Sequence, residues 1–160
     1  MKVFFRFNDG GRAEYYQGKK AGDCVTRAIA IAFEMDYKEV YDLISAEIKE
    51  HNGSTRGTAR NGTPKEVTKA VIEKLGGEWT ATMGIGTGCQ VHVRADELPS
   101  EGRYILNLSR HVAAWVEGEL NDTYDSSRDG TRCVYGYWKV PEAPEELIEE
   151  KLGDVEVPRN

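Results

Sequence analysis

Gly22-Asp23-Cys24-Val25-Thr26-Arg27-Ala28-Ile29-Ala30-Ile31-Ala32-Phe33 puts a cysteine at the start of a helix that is apolar on nearly every side. Asp23 has the side chain of a helix N-cap, and Gly22 has the backbone freedom to turn into one. Only Thr26 and Arg27 interrupt the apolar run. A helix apolar all round belongs in the centre of a fold, not on its surface. Cys24 then takes the first helical position, where unpaired N–H groups and the helix dipole favour an anion. Such a position lowers a thiol pKa and yields the nucleophilic thiolate, and the same N–H groups can hold a developing oxyanion. A free cysteine is, however, also among the most commonly buried residues and behaves as a small hydrophobe. A second feature has to decide between nucleophile and core residue.

The chain of 160 residues is long enough for one domain with a substantial core, and its 39% hydrophobic and 30% charged content is that of an ordinary globular protein. The net charge of −6 argues against a nucleic-acid partner held through phosphates. Most of that charge is local: Pro141 to Asn160 carries seven acids and two bases. We therefore divide the chain into a single domain over 1–140 and an acidic tail over 141–160. The three cysteines are odd in number and widely spaced, so no disulfide framework and a reducing, cytoplasmic compartment are expected. Met1 to Phe7 is too short an apolar stretch for a signal peptide, and no segment approaches the ~20 apolar residues of a membrane span.

In chain order, Lys2 to Phe7 reads as a strand ended by the turn Asn8-Asp9-Gly10-Gly11. The Cys24 helix follows an approach segment containing Tyr15, Tyr16 and Gln17. Asp36-Tyr37-Lys38-Glu39 is a capping box that opens a second helix towards His51, with Val40, Leu43, Ile44 and Ile48 as its apolar stripe. Residues 52–62 read as an exposed loop whose Arg56 and Arg60 could meet an anion or simply be solvated. Thr63-Pro64-Lys65-Glu66 is a second capping box, and its helix stops at Gly76-Gly77. Strands are expected near 79–83, 104–109, 110–116, 119–124 and 135–140. Gly84-Ile85-Gly86-Thr87-Gly88 lacks the lysine and the following helix of a phosphate loop, so it reads as a turn. Cys89-Gln90-Val91-His92 has the spacing of half a metal site, but no second pair completes it, and neither a metal nor another cofactor is expected. Helices followed by an antiparallel sheet define an α+β chain.

The second feature is a hairpin. A cysteine nucleophile needs a base for its proton, and that base needs a third group to fix its tautomer. His111 opens the strand before Glu117-Gly118, and the returning strand leads through Asp122 to Asp125. A three-residue loop would put Asp125 directly across from His111. A two-residue loop would put Asp122 on the same face, diagonally, because side chains alternate along a strand.

In the order of these parts the chain resembles the papain-like cysteine peptidases, and in particular compact bacterial and phage proteins of that fold with segments like Gly22-Asp23-Cys24-Val25 and Cys133-Val134-Tyr135-Gly136-Tyr137-Trp138. The resemblance spans roughly residues 15 to 138 in the order of elements. It implies N-terminal helices packed on a C-terminal antiparallel sheet, with Cys24 as nucleophile, His111 as general base and Asp125 before Ser126 as the orienting acid, Asp122 being the alternative. Gln17 would complete the oxyanion hole, although it stands seven residues before the cysteine where the family has its glutamine six before. Val25 replaces the family's usual aromatic after the nucleophile. The implied activity is a cysteine hydrolase acting on a peptide, isopeptide or other amide in a peptide or protein substrate, through an acyl-enzyme. Transfer of the same acyl group to an amine is a variant of that chemistry. The alternative is a binding or inhibitor protein that keeps the fold without turnover.

Overall fold

A computed structural model describes residues 3–16, 22–53, 58–59 and 62–142. Its regular elements are strand β1 (Phe5–Phe7), a 3-10 turn at Arg12–Glu14, helices α1 (Cys24–Ala32), α2 (Tyr37–Asn52) and α3 (Lys65–Lys74), then strands β2 (Glu78–Ala81), β3 (Arg103–Leu108), β4 (His111–Val116), β5 (Glu119–Asp122) and β6 (Gly136–Lys139). The strands form one sheet in the order β1-β5-β4-β3-β6-β2. The α+β class thus holds, with one correction. The sheet is mixed, because β1 comes from the far end of the chain and pairs parallel to β5, Phe5 beside Leu120 and Phe7 beside Asp122. The other pairings are antiparallel.

The sheet is covered on both faces. Alternation along β3 and β4 sends Ile105, Val112 and Ala114 into a core with Val25, Ile29 and Ala32 of α1, Val40 and Ile44 of α2, and Val67 and Ile72 of α3. The opposite face carries Leu106, Leu108, Ala113 and Trp115, packed under Val93, Leu98 and Val134 from the long β2–β3 and β5–β6 connections. This explains why Tyr104 to Leu108 and Val112 to Trp115 read as nearly unbroken apolar runs: a strand covered on both sides has no polar face. The indole of Trp115 donates to the Pro99 carbonyl at 2.8 Å, fastening the β2–β3 connection to the sheet.

The helix starts differ in an informative way. Asp36 caps α2, accepting from the Glu39 N–H at 3.2 Å. Asp23 does not cap α1. Its backbone sits at φ −111°, ψ 26°, and its carboxylate turns to buried side chains instead. Thr63 does not cap α3 either. Pro64 occupies the cap position itself, its carbonyl accepting the Val67 and Thr68 N–H groups, and the Thr63 hydroxyl is buried without a partner among the described residues. The acidic-tail reading lies outside the described residues from position 143 onward. No described helix is long and apolar enough to cross a membrane.

Candidate active site

Cys24 is the first residue of α1 and is half-buried. Helix geometry leaves the N–H groups of that first turn without partners inside the helix. α1 packs along β4, which brings its start against the first residues of that strand. The His111 ring and the Val112 backbone N–H lie near the Cys24 sulfur and favour its anion. Burial pushes the thiol up, but the His111 ring, the Val112 N–H and the nearby charge of Arg27 outweigh it, and the thiol lies below its ordinary value.

His111 follows a tight turn, Ser109-Arg110, that joins β3 to β4, with Arg110 at φ 55°. Its Nε2 lies 2.7 Å from Asp122 Oδ2, so its Nδ1 is left for the thiol. Burial works against the imidazolium, but the hydrogen bonds and charges of Asp122 and Cys24 prevail and raise its pKa from 6.5 to about 9. Asp122 responds in the opposite sense. Burial pushes it up, yet His111, the Ser126 hydroxyl and the Thr123 N–H together hold it below the usual carboxylate range. The thiol is lowered and the imidazole raised, and both shifts favour a thiolate–imidazolium pair.

The hairpin decides between the two aspartates. Glu117 and Gly118 have φ of 48° and 81°, the paired positive values of a two-residue type I′ turn. Gly118 adopts its value without strain, and Glu117 is held by its N–H to the Gly102 carbonyl at 2.8 Å. Val116 therefore pairs with Glu119 and Ala114 with Asn121. This register puts Asp122 diagonally from His111 on one face. Asp125, the residue assigned to orient His111, is elsewhere: its Oδ1 accepts from the Ser127 N–H and hydroxyl at 3.0 and 2.6 Å, closing a local turn. Ser126, its neighbour, donates to Asp122 Oδ2 at 2.7 Å.

Beneath this chain lies a buried charge network absent from the sequence reading. The Arg27 guanidinium binds Asp23 with one terminal nitrogen and reaches Asp122 Oδ1 at 3.3 Å with the other. Asp23 also accepts from Arg12 at 3.3 Å and from the Tyr37 hydroxyl at 2.5 Å. Burial and the Asp23 carboxylate push the Tyr37 phenol well above its ordinary value, so it stays a donor. Asp23, Arg27 and Asp122 are all nearly inaccessible. The legible signal was the spacing of Asp23 and Arg27, four apart at the start of an apolar helix.

Of the other candidates, Gln17, Arg56 and Arg60 lie outside the described residues. His51 sits exposed in the last turn of α2. The 84–88 segment forms a turn, in which the Gly84 N–H donates to the Thr87 hydroxyl at 3.0 Å. Cys89 and Cys133 are joined as a disulfide, with Cα atoms 5.8 Å apart, which overturns the expectation of unpaired thiols. The two sit on segments brought together by the His92–Cys133 bridge, a pairing that a 44-residue separation hides in the sequence. Two of the three cysteines being paired, their number says nothing for a reducing compartment. No group of three or more metal-ligating side chains occurs among the described residues.

Fold and site together define an α+β protein with a mixed sheet, in which a cysteine at a helix start stands beside a histidine at a strand start that hydrogen-bonds a hairpin aspartate. No protein-family model, curated protein or solved structure matches the chain.

Proposed function

We propose that the protein is a cysteine hydrolase of the papain-like kind, cleaving an amide or thioester bond through an acyl-enzyme on Cys24. The observation that carries the reading is the contact chain Cys24–His111–Asp122, with its acidified thiol and its imidazole raised to about 9. The Cys24 thiolate attacks the acyl carbon, and the carbonyl electrons move to oxygen. The Cys24 backbone N–H, at the positive end of α1, faces that developing charge. The His111 imidazolium gives its Nδ1 proton to the leaving nitrogen or sulfur as the tetrahedral intermediate collapses. Neutral His111 then takes a proton from water, which attacks the thioester and releases the acid and the Cys24 thiolate. Asp122 keeps Nε2–H fixed and steadies the cation.

The substrate class is a peptide, isopeptide or related amide. A generic acyl donor, p-nitrophenyl acetate, tests the chemistry without knowledge of the natural substrate. The expected result is a burst of p-nitrophenolate stoichiometric with protein, an acetyl group mapped to Cys24, and slower turnover by water. Added amines that accept the acyl group in place of water would shift the reading to acyl transfer. Acetylation absent from Cys24, or unchanged in His111→Ala, would leave the inactive binding protein as the better account.

A further inference from the structure

We propose that Cys89–Cys133 is an exchange-active disulfide, reduced by dithiols through a mixed disulfide on Cys89, with His92 and Glu97 as the groups that stabilise the Cys89 thiolate. His92 Nε2 stands 3.6 Å from Cys89 Sγ, within reach of a sulfur hydrogen bond. The other ring nitrogen, Nδ1, lies 3.0 Å from Glu97 Oε1, and the same oxygen accepts the His92 backbone N–H at 2.7 Å. With a carboxylate on Nδ1, that nitrogen carries the proton, and Nε2 is the one that faces sulfur. The two His92 hydrogen bonds hold the Glu97 carboxyl below its usual range, so it faces the ring as an anion.

The two sulfurs are not equivalent. Cys89 is exposed, whereas Cys133 is partly buried. Each sulfur has a carbonyl close by, Val91 at 3.5 Å from Cys89 and Val134 at 3.8 Å from Cys133, but the other neighbour of Cys133 is the Met83 thioether at 3.9 Å, which stabilises no anion, where Cys89 has the His92 ring. The fastening that a disulfide gives needs no imidazole–carboxylate pair beside one sulfur. An exchanging disulfide uses one, because exchange rates follow thiolate fraction, access and leaving-group pKa. This site is separate from Cys24 and does not rest on the hydrolase reading.

The steps balance. The thiolate of an external dithiol attacks Cys89 Sγ, the S–S bond breaks, and Cys133 leaves with the electron pair and takes a proton from water. The second thiol of the dithiol, deprotonated, attacks the dithiol's first sulfur in the mixed disulfide, and Cys89 leaves as a thiolate beside His92. The dithiol is oxidised to its disulfide and loses two protons to solvent, two electrons pass to the protein, and Cys133 takes up one proton while Cys89 stays a thiolate. In reverse, the Cys89 thiolate attacks an external disulfide and Cys133 resolves the adduct.

The test uses the full chain carrying Cys24→Ser, reduced with dithiothreitol, freed of reductant and alkylated with iodoacetamide, with each cysteine quantified by peptide mapping. At pH 6, Cys89 is expected to react at least ~10-fold faster than Cys133, because only its thiolate is stabilised. His92→Ala should erase that difference and Glu97→Gln should reduce it, while at pH 10 all variants react alike. In Cys24→Ser/Cys133→Ser, glutathione disulfide should leave a stable mixed disulfide on Cys89. Equal rates for Cys89 and Cys133 at pH 6, or no glutathione adduct on Cys89, would overturn the proposal. If His92→Ala does not fold, the comparison of the two cysteines within the parent chain decides alone.

Discussion

The role of Asp122 is a claim about single atoms, and it has a single-residue test. Asp122→Asn removes the charge that raises His111, so the imidazole should fall from about 9 towards its ordinary 6.5, read by NMR titration of the ring. Asp125→Asn should leave that titration unmoved, since Asp125 bonds only within its own turn. Hydrolysis should be bell-shaped in pH. Activity rises as pH passes the lowered Cys24 pKa and the thiolate forms, and it falls as pH passes about 9 and His111 loses the proton it must donate. Arg27 belongs to the same scale. Arg27→Met leaves Asp23 and Asp122 buried without their shared cation, which should cost about 3–5 kcal/mol in denaturant unfolding. Cys24 and His111 were legible in the sequence because each stands at an element start beside an unmistakable pattern, an apolar helix and a hairpin. Arg27 and Ser126 were not, because their partners come from other elements: Arg27 reaches Asp122 across 95 positions, and nothing local to Ser126 marks it as the donor to that carboxylate.

At the scale of elements, the β4–β5 hairpin is the device that selects the aspartate. Its two-residue turn sets the pairing Val116 with Glu119, and the period of two along each strand does the rest. One glycine inserted after Gly118 should shift the β5 register and turn Asp122 away from His111. The expected outcome is a folded protein by circular dichroism whose His111 titrates near the ordinary value. Sequence alone left the loop at two or three residues, because Glu117-Gly118 serves both; what settles it is the observed pair of positive φ angles. The helices show the same limit. Asp36 caps α2 as its capping box predicts, while Asp23, also an aspartate just before a helix, is claimed by Arg12, Arg27 and Tyr37. A cap is a local choice, and a buried network outweighs it. The parallel pairing of β1 with β5 was equally out of reach, since it joins residues from Phe5 and Leu120 onward that no short-range pattern connects.

Across the whole molecule, the sheet divides the work. Its helix side buries the apolar core that holds Cys24 in place, and its other side is covered by long connections in place of regular elements. Those connections need fastening, and the Cys89–Cys133 disulfide supplies it between residues 44 apart. Closing a loop of that length is worth about 2–4 kcal/mol, so dithiothreitol should lower the thermal midpoint by roughly 5–15 °C, measured by circular dichroism. Cys133→Ser should show the same loss without reductant. The fastening also reaches the site. Next to Cys133, Arg132 donates to the Ser126 and Ser109 carbonyls at 3.3 and 2.6 Å, tying the segment that supports Asp122 to the turn that presents His111. The central claim remains the pairing of Cys24 with His111, and its most direct measurement is the alkylation rate of Cys24 against pH, in the wild type and in His111→Ala, with Cys24 resolved by peptide mapping. The account predicts rapid alkylation at pH 6 and a loss of about tenfold or more in the variant. Reaction only above the ordinary thiol pKa of ~8.5, with the variant matching the wild type, would contradict it and make Cys24 a core residue.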